Sequence, residues 1–508
     1  MSDILPTVGD EPLSEEWEPT LADLQERRAV SRSMGGEERL EKHRAAGKLD
    51  ARARVDYLLD DGSFQELGTL VGGADAPADA IVMGSGTIDG RPVMVAAEDF
   101  TVKAGTISQS ANSKRYRVAE IAAGDRVPLV MMLEGAGFRA EGRLHARTPT
   151  DLLAQARCSG RVPLITAVLG ASTGHGALVA PMSDFAVMSE QGSIFTAGPP
   201  VVFESLGETI SKEDLGGPAV AVPSGLVHNV APDDRAALDL VRRYLSYFPS
   251  SAWSYPPDTD EGDVGPRPVP EILDVVPRNG RRVYDMREVV DTVFDRGSTF
   301  EVQPGFGQTV VCALARLGGH VVAVVGNQPR VLAGSIDVDG ADKAAHFITV
   351  ADSFHIPLVF LSDNPGVMPG SASERQGILR SGARMYAAQT FATSPKFEVT
   401  LRKAYGFGSM VMGMIPFDGQ SAVFAFPGAT MGAMGASALS RAKGADVDEA
   451  ELLRQAELEA SYRSASTLGF DELIDPREVR NVLLHSLQRA VFRRQAAPEP
   501  KARIGILP

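Results

Sequence analysis

The stretch Gly90-Arg91-Pro92-Val93-Met94-Val95 returns as Gly319-His320-Val321-Val322-Ala323-Val324, a separation of 229 residues. The same offset carries Ala104-Gly105 onto Ala333-Gly334, Lys114 onto Lys343, Pro128-Leu129-Val130 onto Pro357-Leu358-Val359, Glu134 onto Asp363 and Gly137 onto Gly366. At an offset of 232, Pro163 meets Pro395, Gly174 meets Gly406, Gly176 meets Gly408 and Met182 meets Met414. A register held over such a length marks a duplicated unit, against the rival reading of chance likeness between two α/β stretches.

Within the first copy the pattern predicts strand 92–97, helix 108–123, strand 128–133, helix 147–160, strand 163–169 and a helix opening near Gly174. Strands alternating with helices imply an α/β fold with right-handed crossovers. Residues 20–60 read as charged helix whose Val30, Leu40, Ala45, Val55 and Leu58 are too scattered to make a core, so this segment is expected to clasp a larger body. The segment 254–281 is the one long stretch rich in proline and acid between two periodic regions. It places the expected domains at 1–265 and 266–508.

The chain has 508 residues, and 50 Lys and Arg against 65 Asp and Glu leave a net charge of −15. With 44% hydrophobic residues it is no disordered chain, and about 150 residues per domain predicts two to four domains. The acidic balance argues against nucleic acid or an anionic membrane as partner. Cys158 and Cys312 are too few for a disulfide framework or a four-thiolate zinc site. The start is acidic, without the basic and apolar signature of a secretory signal, and no segment has the roughly 18 apolar residues of a spanning helix. A cytoplasmic location is expected.

Both copies set a glycine-flanked turn after an apolar strand: Leu169-Gly170-Ala171-Ser172-Thr173-Gly174-His175-Gly176-Ala177 and Arg402-Lys403-Ala404-Tyr405-Gly406-Phe407-Gly408-Ser409. Small residues let a backbone approach a ligand, and the first N–H groups of a helix lack internal partners. Such a turn makes an oxyanion hole; close packing of strand on helix is the alternative, and the repetition favours function. No nucleophile elbow, P-loop or zinc-helix motif competes, and the eight histidines do not cluster with acids at metal spacings. Gly84-Ser85-Gly86 resembles part of a dinucleotide fingerprint, but Asp89-Gly90 reads better as a hairpin turn. Chemistry by backbone donors remains.

The run Gly35-Gly36-Glu37-Glu38-Arg39-Leu40-Glu41-Lys42-His43-Arg44-Ala45-Ala46-Gly47-Lys48-Leu49, continuing to Asp60-Asp61-Gly62-Ser63-Phe64, resembles the N-terminal segment of carboxyltransferase (β) subunits of biotin-dependent acyl-CoA carboxylases. So do Gly86-Thr87-Ile88-Asp89-Gly90-Arg91-Pro92-Val93, Ala197-Gly198-Pro199-Pro200, Ala341-Asp342-Lys343-Ala344-Ala345 and Pro365-Gly366-Val367-Met368-Pro369-Gly370. The resemblance implies tandem crotonase-like ββα-spiral domains in a homo-hexamer, with active sites between the N-half of one subunit and the C-half of another. It implies an enzyme moving CO2 from carboxybiotin, held on a partner biotin carboxylase/carrier subunit, to the α-carbon of an acyl-CoA. Two oxyanion holes would hold the thioester enolate and the biotin ureido oxygen, each fixed donor being worth roughly 3 kcal/mol. The leaving biotin nitrogen can itself remove the α-proton. Biotin and the CoA thioester are the implied cofactor and substrate, with no metal.

By motif position the donors fall at Gly174, His175 and Gly176 in the first half and at Gly406, Phe407 and Gly408 in the second. The family usually has paired small residues there, so His175 and Phe407 are departures; His175 either contacts substrate or turns into the helical layer. Arg139, with Lys114, Arg117, Arg143 and Arg147, is the local candidate set for CoA phosphates, since guanidinium forks match phosphate oxygens; solvated surface charge or subunit salt bridges are the alternative for each. Gly137 and Gly366, on the neighbouring loops, are expected cofactor-binding positions, and Met410 lines an acyl or biotin pocket or simply packs. The tail Lys501-Ala502-Arg503-Ile504-Gly505-Ile506-Leu507-Pro508 resembles the family's apolar end. CoA is assigned to the N-half by analogy. Acetyl-, propionyl- and longer or branched acyl-CoA remain open as substrate. Two rival functions also stand: a non-catalytic paralogue in a mixed hexamer, and a biotin-dependent decarboxylase subunit.

Overall fold

The computed structural model describes residues 16–139, 149–417, 419–492 and 494–500. They form two compact units that divide between Ser246 and Tyr247. The boundary expected at 265/266 therefore lies inside the second unit. Here the proline- and acid-rich stretch is bound to its own hairpin: Arg316 donates to the Pro257 carbonyl at 2.9 Å and the Thr259 amide to the Gly319 carbonyl at 3.2 Å. Its composition marks irregular backbone held by hydrogen bonds, not a break between bodies.

The first unit is built on strands β1 (Gln65–Leu67), β2 (Ile81–Ile88), β3 (Arg91–Glu98), β4 (Leu129–Gly135), β5 (Leu164–Thr173), β6 (Phe185–Ser189), β7 (Ser193–Phe195) and β8 (Asn229–Ala231). Their order is β1-β2-β3-β4-β5-β6-β8, with β7 paired to β5 beside the main path. β2 and β3 are antiparallel, joined by Asp89 and Gly90 at φ +50° and +74°, the signature of a two-residue primed turn. From β3 to β8 all pairings are parallel, through helices Gln109–Asp125 and Asp151–Cys158. Strand β5 pairs β6 with Ile165–Val168 and then turns to pair β7 with Ala171–Thr173. That bend gives the sheet its spiral and ends at Gly174.

The second unit repeats this with β9 (Phe300–Val302), β10 (Val310–Leu317), β11 (His320–Asn327), β12 (Leu358–Asn364), β13 (Lys396–Tyr405), β14 (Ala422–Ala425), β15 (Thr430–Gly432) and β16 (Glu472–Leu473). The order is β16-β14-β13-β12-β11-β10-β9, with β15 on β13, the same topology strand for strand. Gly318 and Gly319, at φ +61° and +81°, form the matching turn.

Each sheet buries one face in its own core: Met94, Leu129, Met131, Leu164 and Val168 in the first, Val322, Val359, Leu361, Phe397 and Val399 in the second. Of the helices Glu18–Arg32, Glu37–Ala45 and Ala51–Leu58, the third packs on β2 and β3 and the first on the 3₁₀ turn Pro77–Ala80, so the segment holds to the first unit. Asp50 caps the third by accepting from the Ala53 amide, and Val55 and Leu58 are fully buried. Among the described residues no helix is long and apolar enough to cross a membrane.

Candidate active site

The first turn opens where β5 ends. Gly174 has φ +60°, and its amide donates to the Phe195 carbonyl of β7 at 3.0 Å. Ala177 closes the turn onto the Gly174 carbonyl at 3.1 Å, starting a short 3₁₀ helix, Gly176–Val179, where a helix was expected to open. Between these bonds the amides of His175 and Gly176 meet no acceptor among the described residues. The second turn is Gly406, at φ +55°, leading into helix Gly406–Val411 with no side-chain cap. Phe407 and Gly408 are the second and third residues of that helix, where N–H groups have no intrahelical partner. A side chain at Gly408 would place its Cβ 2.3 Å from Asn364 Oδ1 and 2.7 Å from Gly366 Cα, so only glycine fits.

The neighbouring loops pack alike in both units. The Ile107 amide donates to the Gly137 carbonyl at 2.8 Å, and Ile336 to Gly366 at 3.2 Å. Gly137, at φ +82°, brings its Cα beside Thr173, and Gly366, at φ +127°, lies beside Tyr405. Thus Gly137 comes together with Gly174–Gly176, and Gly366 with Gly406–Gly408. Met410, partly exposed on the second helix, gives its carbonyl to Gln389 at 3.2 Å.

The two atypical side chains both fold back onto the preceding helix. His175 Nε2 hydrogen-bonds Asp151 Oδ1 and lies 3.4 Å from Thr150 Oγ1. The Phe407 ring lies across Gly382 and beside Tyr386, with ring centroids 6.1 Å apart. Neither departure from the family pattern therefore covers its own amide.

The expected phosphate ligands have other partners. Lys114 is 3% exposed and its Nζ donates to the carbonyls of Gly68 and Ala78 at 3.2 and 2.8 Å and to that of Ile81. Burial brings this ammonium down to about 8. Lys343 repeats the arrangement on the carbonyls of Gln303 and Phe306, both at 2.9 Å. These lysines are clamps on the loop before each hairpin. The Arg139 fork is filled by Asp79 at 2.6 Å and by the hydroxyl and carbonyl of Thr106 at 3.0 and 2.8 Å. Arg117 pairs with Glu120 at 2.5 Å on an exposed helix face. Arg143, Arg147 and the tail 501–508 lie outside the described residues.

A cationic cavity of about 980 Å³ was not anticipated from sequence. It lies beyond the carboxyl ends of β3, β4 and β6; Arg39, Lys42, Lys103 and Lys212 line it with Phe100 and Ala104, and Glu134, Glu190 and Glu213 line it too, Lys212 standing 3.6 Å from Glu213. Open α/β sheets bind ligands at such strand ends. Lys103, Ala104 and Gly105 run consecutively at φ +48°, +55° and +64°, and Leu332, Ala333 and Gly334 repeat this at +47°, +55° and +85°. Non-glycine residues rarely hold this conformation, and such strain gathers at functional sites. The repeated Ala-Gly pair was the available signal; the cations come from separate segments and had none.

A domain model described as carboxyl transferase domain matches residues 42–504. The methylmalonyl-CoA carboxyltransferase 12S subunit of Propionibacterium freudenreichii subsp. shermanii is 35% identical, covering 96% of this chain and 97% of that one. The biotin-dependent long chain acyl-coenzyme A carboxylase beta4 subunit of Mycobacterium tuberculosis is also 35% identical, over 94% of this chain and 95% of its own. Among solved structures, a transcarboxylase 12S hexamer with hydrolyzed methylmalonyl-coenzyme A bound superposes with a TM-score of 0.88 at 34% identity, over 98% of this chain and 100% of that one. With its two crotonase-like sheets and paired glycine turns, the chain belongs to the carboxyl transferase domain family and is a carboxyltransferase of the biotin-dependent acyl-CoA carboxylase kind.

Proposed function

We propose that the first turn holds the thioester oxygen of an acyl-CoA and the second holds the ureido oxygen of biotin carried by a partner subunit. The observation behind this is the duplicated pair of amides without acceptors, His175 with Gly176 and Phe407 with Gly408, each at the end of an equivalent strand. Both oxygens gain negative charge during transfer, and donors fixed beforehand stabilise that charge without reorganisation. When bound in its carboxylated form, biotin supplies the carboxyl group. The turn fits such a group: Phe407 and Gly408 follow the left-handed Gly406 in the uncapped first turn of helix Gly406–Val411, where their N–H groups have no intrahelical partner.

The CoA phosphates belong in the cavity whose lining includes Arg39, Lys42 and Lys103 beside Ala104, since these are the cations there without a carboxylate neighbour as close as Glu213 is to Lys212. This keeps CoA on the N-half. Phe407 and Met410 bound the second cradle and set how large a group fits beside it. Acetyl-, propionyl- and longer or branched acyl-CoA are the candidate substrates, and a homo-hexamer like that of the 12S relative is the expected assembly.

Because His175 and Phe407 turn away from their own amides, the chain reads as catalytic and not as a scaffold. Incubating the assembled complex with its biotin subunit, acyl-CoA, ATP and labelled bicarbonate tests this. Acid-stable label in the acyl-CoA is expected; an assembled complex that fixes none with any chain length would make the protein a structural subunit.

A further inference from the structure

We propose that Asp151 is a positioning residue for the first turn: acting through His175 and Arg115, it holds the two residues whose amides face the acyl-CoA. The inference rests on reading that turn as the thioester cradle.

The turn needs an outside hold. Its sequence is Gly174-His175-Gly176, and a glycine on each side leaves the backbone unusually free to rotate. Its own hydrogen bonds fix the Gly174 amide on the Phe195 carbonyl and the Ala177 amide on the Gly174 carbonyl, at 3.0 and 3.1 Å. They bracket the two donors without touching either. Such donors stabilise charge well only if they are aimed before the charge appears. Of the three residues only His175 has a side chain by which the turn can be gripped.

Both donor residues are tied to one buried ion pair. Burial would push the Asp151 carboxyl up, yet Arg115 and His175 outweigh it and hold it at about 2, so it is a carboxylate at neutral pH. A carboxylate only accepts, so His175 Nε2 carries the hydrogen in its bond to Asp151 Oδ1. Asp151 Oδ2 takes Arg115 Nε at 2.6 Å and Gln155 Nε2 at 2.8 Å, and the Asp151 amide donates to Asn112 Oδ1 at 3.0 Å. Arg115 carries the hold to the other donor residue. Its Nη2 stands 3.5 Å from the Gly176 carbonyl oxygen, and its Nη1 pairs with Glu98 on β3 at 2.5 Å. Asp151 and Arg115 are both fully buried, which shields the pair from solvent.

The second unit solves the same problem without charge. At the places of Glu98, Arg115 and His175 it has Asn327, Ala344 and Phe407, and the Phe407 ring lies on Gly382 as the imidazole lies on Asp151. Asn364 donates to Asn327 at 3.1 Å, and Gly408 is walled in by Asn364 and Gly366, the nearest atom standing 2.3 Å from where its Cβ would be. Gly176 has no such wall: a Cβ there would meet nothing closer than Ile107 Cδ1, at 3.1 Å. Packing holds the second turn, and the ion pair makes up for looser packing at the first. Charge-assisted hydrogen bonds fix direction as well as distance, which a pair of donors aimed at one oxygen requires.

The test uses the complex assembled with its biotin subunit, ATP and bicarbonate, and whichever of acetyl-, propionyl- and palmitoyl-CoA wild type carboxylates fastest. Calorimetry with that acyl-CoA on the same preparation counts binding sites, so turnover is expressed per site. His175→Leu keeps the amide and the bulk but loses the bond to Asp151. It should bind within about threefold of wild type and turn over roughly ten- to a hundredfold more slowly per site. His175→Gln, which offers Asp151 an amide N–H in place of the imidazole N–H, should regain most of that loss. Asp151→Asn should fall as His175→Leu does, and the double variant should be no slower than the slower single one. Leu and Gln variants that turn over alike, or single losses that multiply in the double variant, overturn the proposal. So does a loss of sites with the rate of the remaining sites intact, which is damage to the fold alone. Wild type that binds none of the three acyl-CoAs would remove the reading of the cradle itself, and the inference with it.

Discussion

The guanidinium of Arg54 meets the carboxylate of Glu134 at 2.6 Å, with the two side chains 1% and 4% exposed. Arg54 also holds Asp234 at 2.9 Å, and Lys48 reaches the other Glu134 oxygen at 2.6 Å. Gly170 makes room, since a Cβ there would stand 2.3 Å from the Glu134 carboxyl. In the second unit the residue at the place of Gly170 is Arg402, which pairs with Asp363 at 2.7 Å. Each unit therefore neutralises a buried acid at the end of its second parallel strand. The second does so from within its sheet, the first by borrowing a cation from the N-terminal helices.

Arg54→Met should therefore cost about 3–5 kcal/mol, because it removes the one guanidinium shared by two buried acids and leaves Glu134 with Lys48 alone as its cation at hydrogen-bond distance. Burial pushes the Glu134 carboxyl up, but Arg54 and Lys48 hold it below its ordinary value. A depressed folded value means that the stabilisation is present above the ordinary carboxylate range and is lost as pH falls through the folded value. Chemical denaturation from pH 7 downward should show wild type losing its advantage over Arg54→Met in acid. Adding Glu134→Gln to the variant should recover part of the loss at pH 7; no recovery would assign the cost to packing alone.

Lys114 and Lys343 should behave as a matched pair. Replacing either by Met leaves buried carbonyls without a donor, at roughly 1–3 kcal/mol or more each way, and lowers the unfolding midpoint of the chain. Neither should change the Michaelis constant for acyl-CoA beyond what unfolding explains. Lys103→Ala and Lys42→Ala, on the cavity, should do the reverse: raise that constant several-fold with little change in stability. Steady-state kinetics beside thermal unfolding separates the two classes, and a Lys114 variant with intact stability and weakened CoA binding would restore it as a phosphate ligand.

The repeat was legible because equivalent residues at one offset do equivalent work: Lys114 and Lys343 clamp loops, Gly137 and Gly366 receive amides, Gly174 and Gly406 turn left-handed. What one residue does in both copies survives as a pattern in the chain. The role of Lys114 was hidden for the complementary reason. A lysine beside a glycine loop has the same letters whether its ammonium faces solvent or three carbonyls, and only the fold places Gly68, Ala78 and Ile81 around Lys114. The cavity was invisible because Arg39, Lys103 and Lys212 belong to segments far apart in sequence. Likewise the acid that orients His175 is Asp151, at no spacing that a motif would flag.

Phe407 and Gly382 form a lock that sets the second cradle. A Cβ at Gly382 would lie 3.0 Å from the Phe407 ring, closer than an aromatic edge tolerates without moving. Gly382→Val should thus drive the ring off the helix Ile378–Phe391 and toward the cradle, lowering kcat/KM for the best substrate by tenfold or more. Phe407→Gly, which restores the small residue usual in the family, should widen the range of acyl chains accepted and make Gly382→Val harmless in its presence. Kinetics on the two single variants and the double variant, with acyl-CoAs of increasing length, checks the coupling; additive effects would mean that the ring and the glycine act apart.

Glu398 supplies the sharpest pH prediction because it is wholly buried inside β13 and lies outside both turns. Its Oε1 accepts from Thr400 at 2.8 Å, and burial pushes the carboxyl up to about 8 against weaker help from Ser362 and Thr400. The acid is thus held protonated in the folded chain at neutral pH, whereas the unfolded chain releases the proton near its ordinary 4.5. A raised folded value stabilises fully below the unfolded one, and that stabilisation is lost as pH rises from about 4.5 to about 8. Glu398→Gln keeps the shape and removes the titration. Its unfolding midpoint should fall less steeply than that of wild type between pH 5 and pH 8, the remaining slope coming from Asp184, which burial raises to about 7, so the variant gains on wild type toward the alkaline side. Two parallel curves across that window would show that Glu398 keeps a charge in the sheet, balanced by a partner.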